Sequence, residues 1–280
     1  MKRYNNIITR KFQSIGELSK QLAQATVQPA FKNAVESGSY STDKSYARWS
    51  LTDSYEQADS LLLFGDRELQ AKIEDAGVSK TRIQLRQMQN RRQIYSSVVG
   101  FAPNVPNYIA GTPNSMINVR QVRVKQPVLN FMYNTTVSCS VSAEDIIRAT
   151  AQLISAIMKI EASGIRMNIY AGEIFYEDTH ACCFMARIKD SGQAMDTLKM
   201  SYPLAHPSML RRQWFRLLET TPGVPEKYVS GYGTVIKTER EALDVLKQAK
   251  IQHINRCLCY SEITGRTADE IAEMITGGAK

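Results

Sequence analysis

Eight cationic side chains, Lys80, Arg82, Arg86, Arg91, Arg92, Arg120, Arg123 and Lys125, stand in a 68-residue run from Ala76 to Ala143 that contains no Asp or Glu. The net charge of the chain is +8, so the remaining residues balance to zero and the whole imbalance lies in this run. Cations without neighbouring carboxylates are suited to phosphate or to an acidic partner. Asn90, Gln93, Tyr95, Asn104, Asn107, Tyr108 and Asn114 lie among them. Amides bind phosphates or base edges, and tyrosine rings stack on unpaired bases. Arg82, Arg86, Arg91, Arg92, Arg120, Arg123 and Lys125 are therefore the expected nucleic-acid contacts. The same side chains would otherwise pair with acids of the N-terminal helices or of a protein partner.

Catalytic chemistry has little to work with. His180, His206 and His253 are the three histidines, and the sequence contains no Gly-x-Ser-x-Gly elbow, Walker-type loop or His-Glu-x-x-His pair. Gly231-Tyr232-Gly233 reads as a turn. His206-Pro207, close to Arg211 and Arg212, would suit an anion at a helix start, but a histidine that caps or satisfies a local backbone group is the plainer reading. Asp190 and Asp196 flank a Ser-Gly-Gln turn and read as solvent-facing. A zinc set can be drawn from His180, Cys182, Cys257 and Cys259, without the two-residue spacer of common structural zinc motifs. With Cys139, these cysteines read instead as buried free thiols. The expectation is a protein that is not an enzyme and carries no cofactor and no metal.

The 280 residues, 43% apolar and 22% charged, suffice for a large core in one or two domains. The opening Met-Lys-Arg-Tyr-Asn-Asn does not resemble a signal peptide. Leu61–Phe64 and Ile146–Ile160 are too short or too polar to cross a bilayer, so the expected setting is a host cytoplasm, with no membrane partner.

Residues 1–75 read as short helices, with cap signals at Ser14/Glu17, Asp53/Glu56 and Asp66. A polar loop is expected over Glu36–Lys44, and Gly77 would end the last of these helices. Residues 76–127 form a basic connector. Ser79–Ser97 would continue as a helix with Arg82, Arg86 and Gln93 on its polar side, and Pro103, Pro106, Gly111 and Pro113 would break it into an irregular segment. A strand-like pattern starts at Asn118. Residues 128–280 read as an α/β domain. Its parts are an apolar strand Val128–Tyr133, a buried helix Ser142–Ser163 and strands over Ile165–Phe175 and Ala181–Ile188 joined as a hairpin. Helices are expected from His206 to Glu219, Glu239 to Lys250 and Thr267 to Ile275, with a last strand within Ile251–Tyr260.

Two resemblances extend this. Val128–Phe175 resembles a von Willebrand factor A-type domain, whose first strand ends in an Asp-x-Ser-x-Ser metal-binding loop. Here the loop reads Asn134-Thr135-Thr136-Val137-Ser138. Thr136 and Ser138 keep the hydroxyls, while Asn134 replaces the carboxylate that a hard cation needs. The resemblance implies a sheet flanked by helices, with one antiparallel edge hairpin and a degenerate metal loop at Asn134, Thr136 and Ser138. Gly100–Pro106, Ser115–Asn118 and His206–Arg212 resemble an uncharacterised family encoded by tailed bacteriophages and prophages, which implies an origin and no mechanism. Together these readings predict a phage or prophage protein that binds nucleic acid. The alternative is a protein-interaction or assembly module, virion-associated or partnered with a larger machine, using the Asn134–Ser138 loop.

Overall fold

The structure, a computed structural model, describes residues 3–36, 40–42, 47–75, 90–123, 127–138, 140–230 and 232–277, with the side chains of residues 34, 40, 90–92, 121–123 and 230 set aside. Strand β1 (Asn6–Phe12) leads into helices α1 (Ile15–Gln24), α2 (Pro29–Glu36), α3 (Ala47–Ser50), α4 (Tyr55–Phe64) and α5 (Arg67–Asp75). Next come β2 (Asn90–Ser97), β3 (Ala102–Pro103), α6 (Val105–Ile109) and β4 (Met116–Arg123). The remainder holds β5 (Val128–Asn134), α7 (Ala143–Ala162), β6 (Arg166–Glu177), β7 (His180–Lys189), α8 (Thr197–Ala205) and α9 (Phe215–Thr220). It closes with β8 (Thr234–Val235), α10 (Glu239–Gln248), β9 (Arg256–Cys259), α11 (Tyr260–Ile263) and α12 (Ala268–Thr276). The chain groups into a larger unit, Met1–Thr81 with Val128–Lys280, and a smaller one, Arg82–Pro127. Among the described residues no helix is long and apolar enough to cross a membrane.

The larger unit is mixed α/β, as expected. Its sheet runs β1-β7-β6-β5-β9, with β8 pairing the far end of β6. All pairs on that path are parallel except the β6–β7 hairpin. The apolar run in β5 is covered on both faces: Phe131 and Tyr133 join the core under α7, while Met132 joins the core under α10. Ser142 caps α7 by accepting from the Asp145 amide at 3.1 Å. Twelve of the twenty residues of α7 are buried, and each large apolar side chain among them contributes about 1.5–3 kcal/mol. Buried Lys189 bonds Glu161 at 2.6 Å and so ties the end of β7 to the end of α7. Cys182 packs into the α7-side core, and Cys183, Cys257 and Cys259 into the other. All four are free thiols. Burial pushes Cys183 and Cys259 up to about 12.

Several expectations are corrected. Residues 6–12 form a strand, not a helix, and it pairs in parallel outside β7. As an edge strand it is largely exposed, so its sequence shows no apolar stripe. The second cap is Ser54, one residue beyond the expected Asp53; its hydroxyl accepts from the Gln57 amide at 3.2 Å. The stretch expected as a helix over His206–Glu219 is helical without a break from residue 207 to 220, but its middle, Met209–Trp214, is π-helical before it continues as α9. Residues 90–97, expected to end a helix, are strand β2. Residues 76–89, with Gly77, lie outside the described residues, as does most of the expected 36–44 loop; within it Tyr40–Thr42 form a 3₁₀ turn.

The smaller unit is a three-stranded antiparallel sheet ordered β2-β4-β3. Gly100 carries the chain from β2 toward β3 directly against β4, where an added Cβ would stand 2.1 Å from the Ile117 carbonyl oxygen. Any side chain at that position would force the strands apart.

Candidate nucleic-acid interface and the loop after β5

Pairing of β2 with β4 sets Gln93 directly opposite Arg120, and Tyr95 opposite Asn118 on the same face. Gln93 Oε1 accepts from Arg120 Nε at 3.0 Å and from Nη2 at 2.9 Å. The guanidinium lies over the Tyr95 ring, 5.3 Å from its centroid. Arg120 is thus pre-positioned and solvent-facing, with no carboxylate pairing it among the described residues. Arg91, Arg92 and Arg123 hold register positions on the same strand pair: Arg91 opposite Val122, Arg92 opposite Gln121, and Arg123 opposite Asn90. At roughly 3.4 Å per residue, the four arginine positions fall within about 10 Å along the strands. Arg82, Arg86 and Lys125 lie outside the described residues.

Most amides expected to read phosphate or bases are occupied within the unit. Asn104 caps α6, and its Nδ2 donates to Ser96 Oγ at 3.2 Å. Asn107 Nδ2 donates to Ser96 Oγ and to the Asn114 carbonyl. Asn118 Nδ2 holds the Val99 carbonyl at 3.0 Å. They shape the turn. What the turn presents instead is apolar: Phe101, Tyr108 and Ile109 are 71%, 72% and 79% exposed.

The loop after β5 is built differently. Asn134 is fully buried. Its Oδ1 accepts from the Ile174 amide at 3.0 Å and from Thr136 Oγ1 at 2.5 Å, and its Nδ2 donates to Cys259 Sγ at 3.7 Å. Thr135 donates its backbone amide to the Gly172 carbonyl at 2.8 Å. Asn134 and Thr136 therefore join β5 to β6 and β9, and of the three loop positions only Ser138 is exposed. An amide suits this place because it donates on one side and accepts on the other. Farther along, the Val141 carbonyl accepts from Trp49 Nε1 at 2.7 Å. Among the described residues, no group of three or more His, Cys, Asp or Glu is placed to hold a metal. Cys139 lies outside the described residues.

Sequence reading did not single out a buried polar network around the π-helical turn, although π-turns often mark functional sites. Arg212 donates to the carbonyls of Ser41 at 2.8 Å and Thr52 at 3.2 Å. Glu219 accepts from Ser41 Oγ at 2.5 Å and from the Tyr232 hydroxyl at 2.7 Å. The Arg211 guanidinium stands over Trp49 at 4.9 Å and over Phe215 at 5.0 Å. His206 accepts from the Ser208 amide at 3.1 Å and stacks on Tyr202, so it satisfies a local backbone group. Burial pushes its pKa down to about 4, partly opposed by Asp66. Glu173 is buried in β6, and its Oε2 has no hydrogen-bond partner among the described residues. Burial pushes its carboxyl well above the usual range, with Arg211 opposing. The signal for Glu173 was present, as one acid inside the apolar run Ile169–Phe175. Arg212 and Glu219 gave no such signal because their partners are distant in sequence.

The sequence model of a family described as a domain of unknown function (DUF7192) matches residues 2–264. No curated protein and no solved structure matches the chain.

Proposed function

The chain belongs to the DUF7192 family, a domain of unknown function, and we propose from its own surface that it binds nucleic acid through the basic strands of its smaller unit. The observation that carries this reading is Arg120, oriented by Gln93 and backed by Tyr95 within a run that has no acid to neutralise it. A guanidinium held in this way contacts phosphate with little ordering cost, and the adjoining ring offers a stacking face. Arg91, Arg92 and Arg123 on the same strands, with Arg82, Arg86 and Lys125 close in sequence, would supply further phosphate contacts.

The von Willebrand A-like reading belongs to the same proposal. A strand, a long buried helix, a parallel neighbour and an antiparallel hairpin partner, in the order β5-α7-β6-β7, support it. The Asn134–Ser138 loop serves the assembly-module alternative less well, because Asn134 and Thr136 are spent inside the fold. A phage or prophage origin, with a cytoplasmic or virion-associated setting, is proposed on the motifs Gly100–Pro106, Ser115–Asn118 and His206–Arg212.

The test is fluorescence anisotropy with labelled single- and double-stranded DNA and RNA across a salt series. Binding should weaken with a log–log slope of about −0.9 per phosphate contact on duplex DNA, or about −0.7 on single strands. Arg120→Ala/Arg123→Ala/Lys125→Ala should shallow that slope and weaken binding on every sequence alike. No binding at low salt would sink the proposal and turn attention to an acidic protein partner.

A further inference from the structure

The smaller unit holds three aromatic residues, Tyr95, Phe101 and Tyr108, and buries none of them. The larger unit treats its rings differently: six of the chain's eight phenylalanines are buried there. Phe101 and Tyr108 stand in the uncharged segment between β2 and β4, each more than two-thirds exposed, and Tyr95 lies under the Arg120 guanidinium. Val98, Val99 and Ile109, each more than half exposed, extend the apolar surface close to them in sequence. Phosphate contacts alone leave these rings unexplained.

We infer, resting on the reading that this unit binds nucleic acid, that its ligand is single-stranded: unpaired bases stack on Tyr95, Phe101 and Tyr108 while the arginines hold the phosphates. In a duplex each base face is covered by the next pair, and a protein reaches only base edges and phosphates. Edges are read by free donors and acceptors, and here the amides are spent. Gln93 holds Arg120, Asn104 and Asn107 hold Ser96, and Asn118 holds the Val99 carbonyl. A ring asks only for an open base face, which unpaired strands have and which every base offers, so such binding tolerates any sequence.

Charge and reach fit the same ligand. The unit carries cations and no acid. Gln93 takes donors from Nε and Nη2 of Arg120, and Nη1 has no partner among the described residues, which leaves it for a phosphate oxygen. Arg120 lies four residues along β4 from Met116, which pairs with Ser97 and Pro103 where the uncharged segment begins and returns. At about 3.4 Å per residue that is about 14 Å, or about four stacked nucleotides, the short end of single-strand site sizes.

Fluorescence anisotropy of the full chain tests this with a labelled strand of about 12 nucleotides, alone and annealed to its complement, as DNA and as RNA. The single strand should bind at least about 10-fold more tightly than the duplex at equal salt. Phe101→Leu/Tyr108→Leu keeps the segment apolar and takes away two rings. It should weaken single-strand binding at least about 10-fold, with the salt slope and circular dichroism unchanged, because no phosphate contact is lost. Without any variant, a strand carrying 5-iodouracil should photocrosslink to Tyr95, Phe101 or Tyr108, located by peptide mass. Equal or tighter duplex binding overturns the inference and leaves nucleic-acid binding standing, and so does a ring variant that holds the single strand as the natural chain does. Binding to neither form at low salt overturns both. A chain that binds no strand but floats with vesicles of phosphatidylcholine and phosphatidylglycerol would give the rings to a lipid surface instead.

Discussion

Two buried titratable groups, His206 and Glu173, pull stability in opposite directions with pH. The imidazole of His206, ordinarily near 6.5, is pushed to about 4 by burial. Its contribution is complete above 6.5 and is lost as the pH falls toward 4, because the unfolded chain takes a proton that the folded one refuses. Glu173 behaves conversely. Its carboxyl favours the protonated form, so its contribution is complete below the usual 4.5 and declines as the pH rises above that value. Each limb has a limiting slope of about 1.4 kcal/mol per pH unit. Glu173→Gln keeps the shape and cannot ionise. Its chemical-denaturation midpoint should exceed that of the natural chain at about pH 8 and converge with it near about pH 4–5. An equal offset at both pH values would show that the carboxyl ionises as readily in the fold as in the unfolded chain. At this scale the sequence was half legible. An acid inside an apolar strand is visible, but that Asn134 is an internal strut rather than a ligand depends on Ile174 and Cys259, forty and 125 positions away.

Among the elements, β5, α7, β6 and β7 could be read from pattern alone, since an apolar strand and a twenty-residue buried helix leave few alternatives. β1 could not, because an edge strand with one partner needs little apolar patterning. β2 was misread because Arg82, Arg86 and Gln93 happen to fall at helical spacing, whereas cross-strand pairing with β4 decides the outcome. The π-helical turn has no local signature either. Gly172 shows how tightly the central strands are set: an added Cβ would meet Met132 Cε at 2.2 Å and the Phe184 carbonyl oxygen at 2.6 Å. The methionine can swing away, but the neighbouring strand backbone cannot. Gly172→Ala should therefore cost about 1–3 kcal/mol in urea unfolding. A change within about 0.5 kcal/mol would mean that β6 and β7 separate more easily than their register implies.

For the whole molecule, charge was the most legible property and unit boundaries the least. The basic, acid-free run is plain in the sequence, and the smaller unit, Arg82–Pro127, lies wholly within it and holds seven of its eight cations. That the N-terminal helices share a unit with residues 128–280 is decided by contacts such as Trp49 with Val141 and Ser41 with Glu219, which no local pattern announces. The four thiols in the two cores of the larger unit turn this packing into a clock. Held protonated and out of reach, Cys182, Cys183, Cys257 and Cys259 cannot react until the sheet opens. Pulsed alkylation read by peptide mass should modify all four at one shared rate, that of global unfolding. Faster labelling of Cys257 and Cys259 alone would mean that β9 peels away first. The chain thus times its own opening, with no probe engineered into it.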